Sequence, residues 1–371
     1  GTAIALMIEN QNTRSGDYAK TADLLRPGHA DYTAYAKYHG YQDARGGGHF
    51  SGRVTAALVA GGALVLGALN RAGIEIVTHI GRCAGISDAP FALDDPAALA
   101  AQAEALLNKS EGFALLDGSV EEPMKAAIRA AGAEGDSVGG VIRCTVSGLP
   151  AGLGGPDWRD TVEGTIARHV FAIPAVKAIG FGAGVTFAQM RGSAANDPFT
   201  MVHGAVRTVS NHSGGVNAGV TNGMDVVFDV TFRPTPSIAK EQRTVDLTTM
   251  TETTISVPGR HDACIALRAA PAVESAAALA VCQLLPDTPA DLDGLRCRLD
   301  ETDAAILELF DRRQRLSAAI GAYKSAHGLP VRDKAREAEV LRTRGDMLPE
   351  RRDQAERLMT LLMALSREEQ A

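Results

Sequence analysis

The sequence predicts an α+β fold followed by an all-α segment, and three observations predict it. Up to Leu285, short β-branched runs such as GIEIVTHIG and MDVVFDVTF are mixed with Ala-rich stretches such as PAALAAQAEALLN and AVESAAALAVCQLL. Branched side chains suit a pleated, half-buried surface and alanine suits a helix. After Asp293 the composition shifts to dense Arg, Glu and Leu at helical spacing, and the turn-rich PDTPADLDG lies between the two halves. The boundaries read from this are 1–285 for the mixed domain, 286–292 for a linker and 293–371 for the helical domain.

A length of 371 residues agrees with two domains, and 45% hydrophobic residues support a globular core. A net charge of -7 and a pI of about 5.8 argue against a nucleic-acid binder by bulk electrostatics. No membrane span and no secretory leader are expected. The five cysteines, Cys83, Cys144, Cys264, Cys282 and Cys297, are scattered without a CxxC pair, which points to a reduced, cytoplasmic setting. The opening GTAIALMIEN starts inside an apolar, strand-like run, so a further segment is expected upstream of Gly1.

In the mixed domain, Arg26 to Phe50 gathers His29, His39 and His49 around a Pro-Gly turn and the loop RGGGHFSGR. Glycines let a backbone approach a phosphate or a flat ring closely. NHSGGVNAGVTNG is a second such loop, FRPTPSI is a rigid turn, and GRHDAC sets Arg260, His261 and Asp262 together. Any one cluster reads as a tight turn; together they point to a ligand with a phosphate and a planar system. GFGAG at Gly180–Gly184 lacks the G-x-G-x-x-G spacing of a dinucleotide loop. Without HExxH, tight Cys/His spacing or a G-x-S-x-G elbow, neither a metal site nor a serine hydrolase is expected.

In the helical domain, Leu295, Leu299, Thr302, Ile306, Leu309, Arg313, Leu316, Ile320 and Lys324 fall on one helix face. Arg313 and Lys324 break an otherwise core-like stripe. A buried cation needs a partner. Acids from another helix, snorkelling at the stripe edge or a bound anion would each satisfy them. GLPVRDKAREAEVLRTR opens with a Gly-x-Pro break, after which Asp333 caps a helix carrying Arg336 and Glu337 on its first turns. The last helix places Leu358, Leu362, Ser366 and Gln370 at i+4 steps. These cations and polar groups together suit a small polyanion, since Arg forks match carboxylates.

LRCRLDETDAAILELFDRRQRLSAAIGAYK, GLPVRDKAREAEVL and ALSREEQ resemble the all-helical, type II chorismate mutases. The resemblance implies a dicarboxylate substrate, chorismate, rearranged to prephenate without a cofactor. It places Arg296, Arg313, Lys324, Asp333, Arg336, Glu337, Ser366 and Gln370 on the binding positions. Arg296 would reach into a partner subunit's site. Lys324, with Glu337 or Gln370, would meet the ether oxygen of the breaking bond; Glu337 could donate there only if protonated. The connection before the last helix is shorter than in some relatives.

TRSGDY, RPGHADYT, RGGG, GLGGPDW, IPAVKAIGFG, MRGSAANDPF, NHSGGVNAGVTNG, RPTPS and GRHDAC resemble the chorismate synthases, in that family's order and across 1–285. The resemblance implies a β-α-β sandwich and use of reduced FMN, with no net redox change, to remove phosphate and a ring proton from 5-enolpyruvylshikimate 3-phosphate. It makes His29 the acid toward the departing phosphate and Asp262 the acid that works with flavin N5 on the ring proton. Flavin contacts fall on His49, Phe50, Ser51, Pro174, Ala175, Ala218, Arg233, Pro234, Thr235, Pro236, Ser237 and Arg260. The chain departs from the family at GGHFSG for GGRSSA, GAGV for GDGF and GLGGP for GLGEP. The family's GESHG segment, with its other catalytic histidine, is expected upstream of Gly1.

The two resemblances meet at one metabolite, so a bifunctional enzyme is expected, a lyase joined to an isomerase. The alternatives are a chain in which only the mutase works, and a non-catalytic fusion that binds chorismate or mediates dimerisation. Homo-oligomers are implied, a mutase dimer and a synthase tetramer.

Overall fold

The computed structural model describes residues 2–9, 23–43, 45–109, 112–202, 205–257, 262–285 and 292–370. The chain divides into two compact units, Ala3–Pro286 and one from Asp287 onward. The first runs α1 (Asp31–Tyr38), α2 (Thr55–Arg71), β1 (Glu75–Cys83), β2 (Ile86–Ser87), α3 (Pro96–Leu107), α4 (Glu121–Ala133), β3 (Gly140–Ser147), α5 (Val162–Phe171), β4 (Val176–Phe181) and α6 (Gly192–Ala195). It continues through β5 (Phe199–Val202), β6 (Ala205–Thr208), β7 (Val216–Asn217), β8 (Val220–Thr221), β9 (Val226–Phe232), β10 (Gln242–Asp246), β11 (Thr251–Ile255) and α7 (Ala270–Leu284). The branched runs singled out in the sequence are β1 and β9, and the Ala-rich ones are α3 and α7.

Among the described residues, one five-stranded antiparallel sheet has the order β2-β1-β3-β9-β4. Ile142, Cys144 and Val146 of β3 and Val226, Phe228 and Val230 of β9 alternate onto one face and are fully buried. They share a core with α2, α5 and α7, where Val273, Ala276, Ala277, Ala280 and Val281 are also buried. Small residues let these helices approach closely. A Cβ on Gly62 of α2 would lie 2.2 Å from the Ser275 Cβ of α7. On the opposite face, Val77 and Val227 pack under Leu99 and Leu106 of α3.

That second face carries a polar row. The register opposes His79 to Arg143 and Arg143 to Asp229. Arg143 Nε donates to Asp229 at 3.1 Å. His79 is fully buried, and its Nδ1 lies 2.8 Å from Asp88 Oδ2. Asp88 also accepts from the backbone N–H groups of Leu116 and Asp117.

One expectation is corrected. The helical stretch Gly52–Arg71 has 20 residues and a mean hydropathy of 1.7 in its most apolar window, long and apolar enough to cross a membrane by length and composition. The sequence reading overlooked it because its glycines and alanines look unremarkable singly. Within this unit α2 packs against α7, with Gly62 at the contact with Ser275.

The second unit consists of α8 (Leu292–Ala326), α9 (Lys334–Gly345) and α10 (Arg352–Gln370), with α10 packed on both others. Asp333 caps α9 by accepting from Ala335 N–H at 3.0 Å and Arg336 N–H at 3.1 Å. Of the side chains described here, those buried are small: Ser317, Ala355 and Ser366. The apolar stripe of α8 is not buried, with Ile306 54%, Leu309 63%, Leu316 59% and Ile320 49% exposed.

Candidate active sites

Pro27 and Gly28 form a turn closed by His29 N–H donating to Arg26 O at 3.0 Å, and Gly28 takes the positive φ (71°) that such a turn requires. The turn brings Arg26, His29 and Asp31 together at the start of α1. Asp31 accepts from Arg26 Nε at 2.8 Å and Arg26 Nη2 at 2.7 Å. His29 Nδ1 stands 2.7 Å from Asp31 Oδ1. Burial pushes the Asp31 carboxyl upward, but hydrogen bonds from His29 and Arg26 outweigh it and hold it far below the usual carboxylate range. Nδ1 also faces Arg26 Nη2 at 3.1 Å, so Asp31 and Arg26 both engage this nitrogen and Nε2 is left for chemistry.

Three further segments converge on this turn. Gly47 lies against the imidazole so closely that a Cβ there would be 3.0 Å from His29 Cε1. Gly47 precedes His49, Phe50 and Ser51, and Phe50 meets the Tyr38 ring at 6.4 Å. Arg233 donates from Nη1 to the Gly28 carbonyl, and its N–H donates to Ala175 O at 3.0 Å. Thr235 Oγ1 donates to Asp262 O at 2.7 Å, and the Asp262 carboxylate pairs with Arg268 at 3.3 Å. His29 and Asp262 thus flank the Arg233–Thr235 segment, with Pro174–Ala175 behind it. An open groove of about 640 Å³, lined by Arg53, Thr55, Val59, Ala63, Arg268 and Pro271 among others, begins beside the Asp262–Arg268 pair.

Ala218 is placed elsewhere. It has φ 51° in the β7–β8 hairpin, whose Gly219 carbonyl accepts from Val162 N–H at 2.9 Å. Arg260 and His261 lie outside the described residues. Pro236 and Ser237 follow Thr235 in the same turn. Arg26, Asp31, Arg53 and Arg268 are not singled out by the sequence motifs. The His-x-Asp spacing was the available signal for Asp31.

NDPF and NHSGG, consecutive motifs of the sequence, meet at Asp197. It accepts from Ser210 Oγ at 2.6 Å, His212 N–H at 2.7 Å and Ser213 N–H at 2.8 Å. Burial pushes its carboxyl up, but these hydrogen bonds prevail and lower it. At GAGV, Ala183 N–H donates to His212 O at 2.8 Å, and a Cβ on Gly182 would lie 1.8 Å from that oxygen.

In the helical unit, Arg313 of α8 donates from Nη1 to Leu362 O at 2.7 Å and to Ser366 Oγ. Burial lowers the pKa of this guanidinium. Lys324 Nζ donates to Val331 O at 2.6 Å. Glu337 is held by Arg367 of α10 and by Arg332 Nε at 3.3 Å, while Arg336 pairs with Glu339. The stripe cations therefore meet carbonyls and a hydroxyl rather than acids from another helix. Side chains of Arg296 and Gln370 lie outside the described residues, although both positions are helical.

Residues 1–285 match the family model for chorismate synthase, and residues 295–371 match that for chorismate mutase type II. The chorismate synthase of Dehalococcoides mccartyi is 41% identical over 285 residues, covering 76% of this chain and 76% of that protein. That of Thermococcus kodakarensis is 42% identical over 281 residues, again covering 76% of each. A crystal structure of a chorismate synthase matches with a TM-score of 0.58 at 23% identity, over 74% of this chain and 75% of that one, which supports the fold. Motif order, the α+β unit with its helical extension and these likenesses agree that the chain belongs to the chorismate synthase family and carries a type II chorismate mutase domain.

Proposed function

We propose that the chain converts 5-enolpyruvylshikimate 3-phosphate to chorismate in its first unit and rearranges chorismate to prephenate in its second. The single observation that carries the first step is that the His29 turn meets the glycine loop at Gly47 and the Arg233–Thr235 segment at Gly28, while Thr235 holds the backbone of Asp262. The residues fit FMN: the Arg233 cation and the Ser51 and Thr235 hydroxyls could take its phosphate. His49, Phe50, Pro174, Ala175, Pro234, Pro236 and Ser237 complete that surface, with Ala218 and Arg260 assigned by resemblance alone. Reduced FMN, when bound, supplies electron density that eases loss of the allylic phosphate. His29, as imidazolium, gives its Nε2 proton to the departing phosphate while Asp31 stabilises the charge through Nδ1. Arg53 and Arg268 are the cations nearest the groove and would hold the phosphate. Asp262 takes up the ring proton.

In the second unit, Arg313 and Arg296 hold the two carboxylates of chorismate, with Arg336 and Ser366 adding contacts. Lys324 and Gln370 donate to the ether oxygen as its bond breaks. This is orientation plus preorganised electrostatics and needs no cofactor. Asp333 fixes the start of α9. The exposed stripe of α8 supports an interlocked homodimer in which Arg296 serves the neighbouring pocket, since small helical units seldom bury enough core alone. The first unit is proposed to associate further, to a tetramer. Free thiols at Cys83, Cys144, Cys264 and Cys282 suit a cytoplasmic setting.

The test is an anaerobic assay with photoreduced FMN, following chorismate and then prephenate by absorbance. Chorismate should be turned over by this chain, and 5-enolpyruvylshikimate 3-phosphate once a segment with the family's GESHG motif is joined ahead of it. A folded protein extended in that way that leaves 5-enolpyruvylshikimate 3-phosphate unchanged overturns the first assignment, and a chain that leaves added chorismate unchanged overturns the second.

A further inference from the structure

Cys83 closes β1 and Cys264 follows Asp262 by two residues. They are 181 positions apart in the sequence, yet their Sγ atoms lie 3.5 Å from each other. Both are buried, at 0% and 5% exposure. The chemistry proposed above uses neither thiol. Of the other described cysteines, Cys144 is buried in β3 and Cys282 is exposed on α7.

The two sulfurs stand on unequal supports. β1 pairs with β2 on one side and β3 on the other, and the register sets Cys83 against both Ile86 and Gly140. Cys264 belongs to a turn ahead of α7. That turn is fastened by Val138 N–H donating to Ala263 O at 2.7 Å and by Thr235 Oγ1 donating to Asp262 O at 2.7 Å. A disulfide brings its sulfurs to about 2 Å, so about 1.5 Å of approach remains, and the turn can supply it more readily than the twice-paired strand.

We infer that Cys83 and Cys264 are a redox pair, which hydrogen peroxide converts to an internal disulfide tying the Asp262 segment to the end of β1 and which a dithiol reopens. Cys264 is the attacking thiol, being the less buried of the two. The hydrogen bond from Cys83 favours the Cys264 thiolate, the backbone N–H groups of Ala266 and Leu267 assist, and together they outweigh burial and lower its pKa. The same contact raises that of Cys83.

The thiolate attacks one peroxide oxygen and the O–O bond breaks. The departing hydroxide takes up the proton that Cys264 gave and leaves as water, so Cys264 becomes a sulfenic acid. The Cys83 sulfur then attacks the Cys264 sulfur. The S–S bond forms, the S–O bond breaks, and the hydroxide released takes the Cys83 proton. Two thiols and one hydrogen peroxide give one disulfide and two waters. The inference holds whether or not the first unit turns over substrate.

In the experiment the full chain, reduced and freed of dithiol, is treated with hydrogen peroxide beside Cys83→Ala and Cys264→Ala. Unreduced peptide mapping by mass spectrometry should find Cys83 joined to Cys264 in the parent, a link that dithiothreitol removes. Cys83→Ala should instead carry added oxygen on Cys264, and Cys264→Ala should leave Cys83 unmodified. The Val138 amide reports whether the turn lifts from the sheet. Its deuterium exchange should slow by about tenfold or more on oxidation of the parent and stay unchanged in either variant. The exposed Cys282 shows that the oxidant has acted. Cys83 and Cys264 recovered as free thiols after Cys282 is oxidised overturn the pair, as does a link from either of them to Cys282. A linked pair with Val138 exchange unaltered overturns the tie between turn and strand. Circular dichroism of the variants separates a lost link from a lost fold.

Discussion

His29 Nδ1 and Asp31 Oδ1 are 2.7 Å apart, and both belong to a turn that Arg26 locks from behind. The imidazole therefore answers to the carboxylate. Asp31→Asn removes the charge that stabilises imidazolium and leaves an amide where a carboxylate accepted from two partners. The synthase rate should fall roughly ten- to a hundredfold, part of what a general acid typically supplies. The folded Asp31 carboxyl lies below its unfolded value, so its stabilisation is present above about pH 4 and is lost as the solution is acidified further. The gap in urea midpoint between parent and Asp31→Asn should accordingly narrow below that pH. A gap that stays constant would count against the pairing.

Lys324→Ala should lower chorismate rearrangement by about 10² or more, as expected for loss of one preorganised donor. The only side-chain hydrogen bond of Lys324 among the described residues is to Val331 O, at 2.6 Å, which the helical fold can forgo. Steady-state kinetics with matched circular dichroism would check this, and a rate within a few-fold of the parent would refute it.

Charged residues placed on the bare stripe of α8, Leu309→Glu and Ile320→Glu, should weaken assembly and abolish mutase activity together. Sedimentation velocity and activity titrated against chain concentration report both. Mixing Arg296→Ala with Arg313→Ala chains should recover activity in hybrid dimers. Recovery absent from mixtures shown to exchange subunits would argue against the shared pocket.

Gly62→Ala should destabilise the first unit by about 1–3 kcal/mol, because the new methyl meets Ser275 across the α2–α7 contact. Adding Ser275→Gly should recover part of that loss, a coupling visible in a double-mutant cycle on urea midpoints. Additive losses would place the strain elsewhere.

The periodicities of β1, β9, α3 and α7 were legible because each buries one face or both against a continuous core. The turn that carries His29 was legible because Pro27 and Gly28 announce it, whereas the roles of His29 and Asp262 rest on the resemblance. What could not be read was pairing across the fold. The His79–Arg143–Asp229 row depends on strand register and on the shift between Ile80 and Arg82, which moves Arg82 onto the same face. Asp197 binds a loop that follows it by more than a dozen residues. Arg367 reaches Glu337 across two helices, and nothing in ALSREEQ announces its partner. The stripe of α8 was read correctly as apolar, but apolar spacing does not say whether the covering surface comes from the same chain.

The hydrogen bond from Arg233 to Gly28 spans 205 positions of sequence, whereas Arg313 reaches Leu362 across 49. Closing the longer loop costs more entropy and waits for more of the chain to be in place. The docking of the His29 turn onto Arg233 therefore waits for most of the first unit, while the helical unit completes its own contacts locally. During synthesis the turn closes on itself through Arg26 and Asp31, and its anchor to the rest of the unit forms only once Arg233 has emerged.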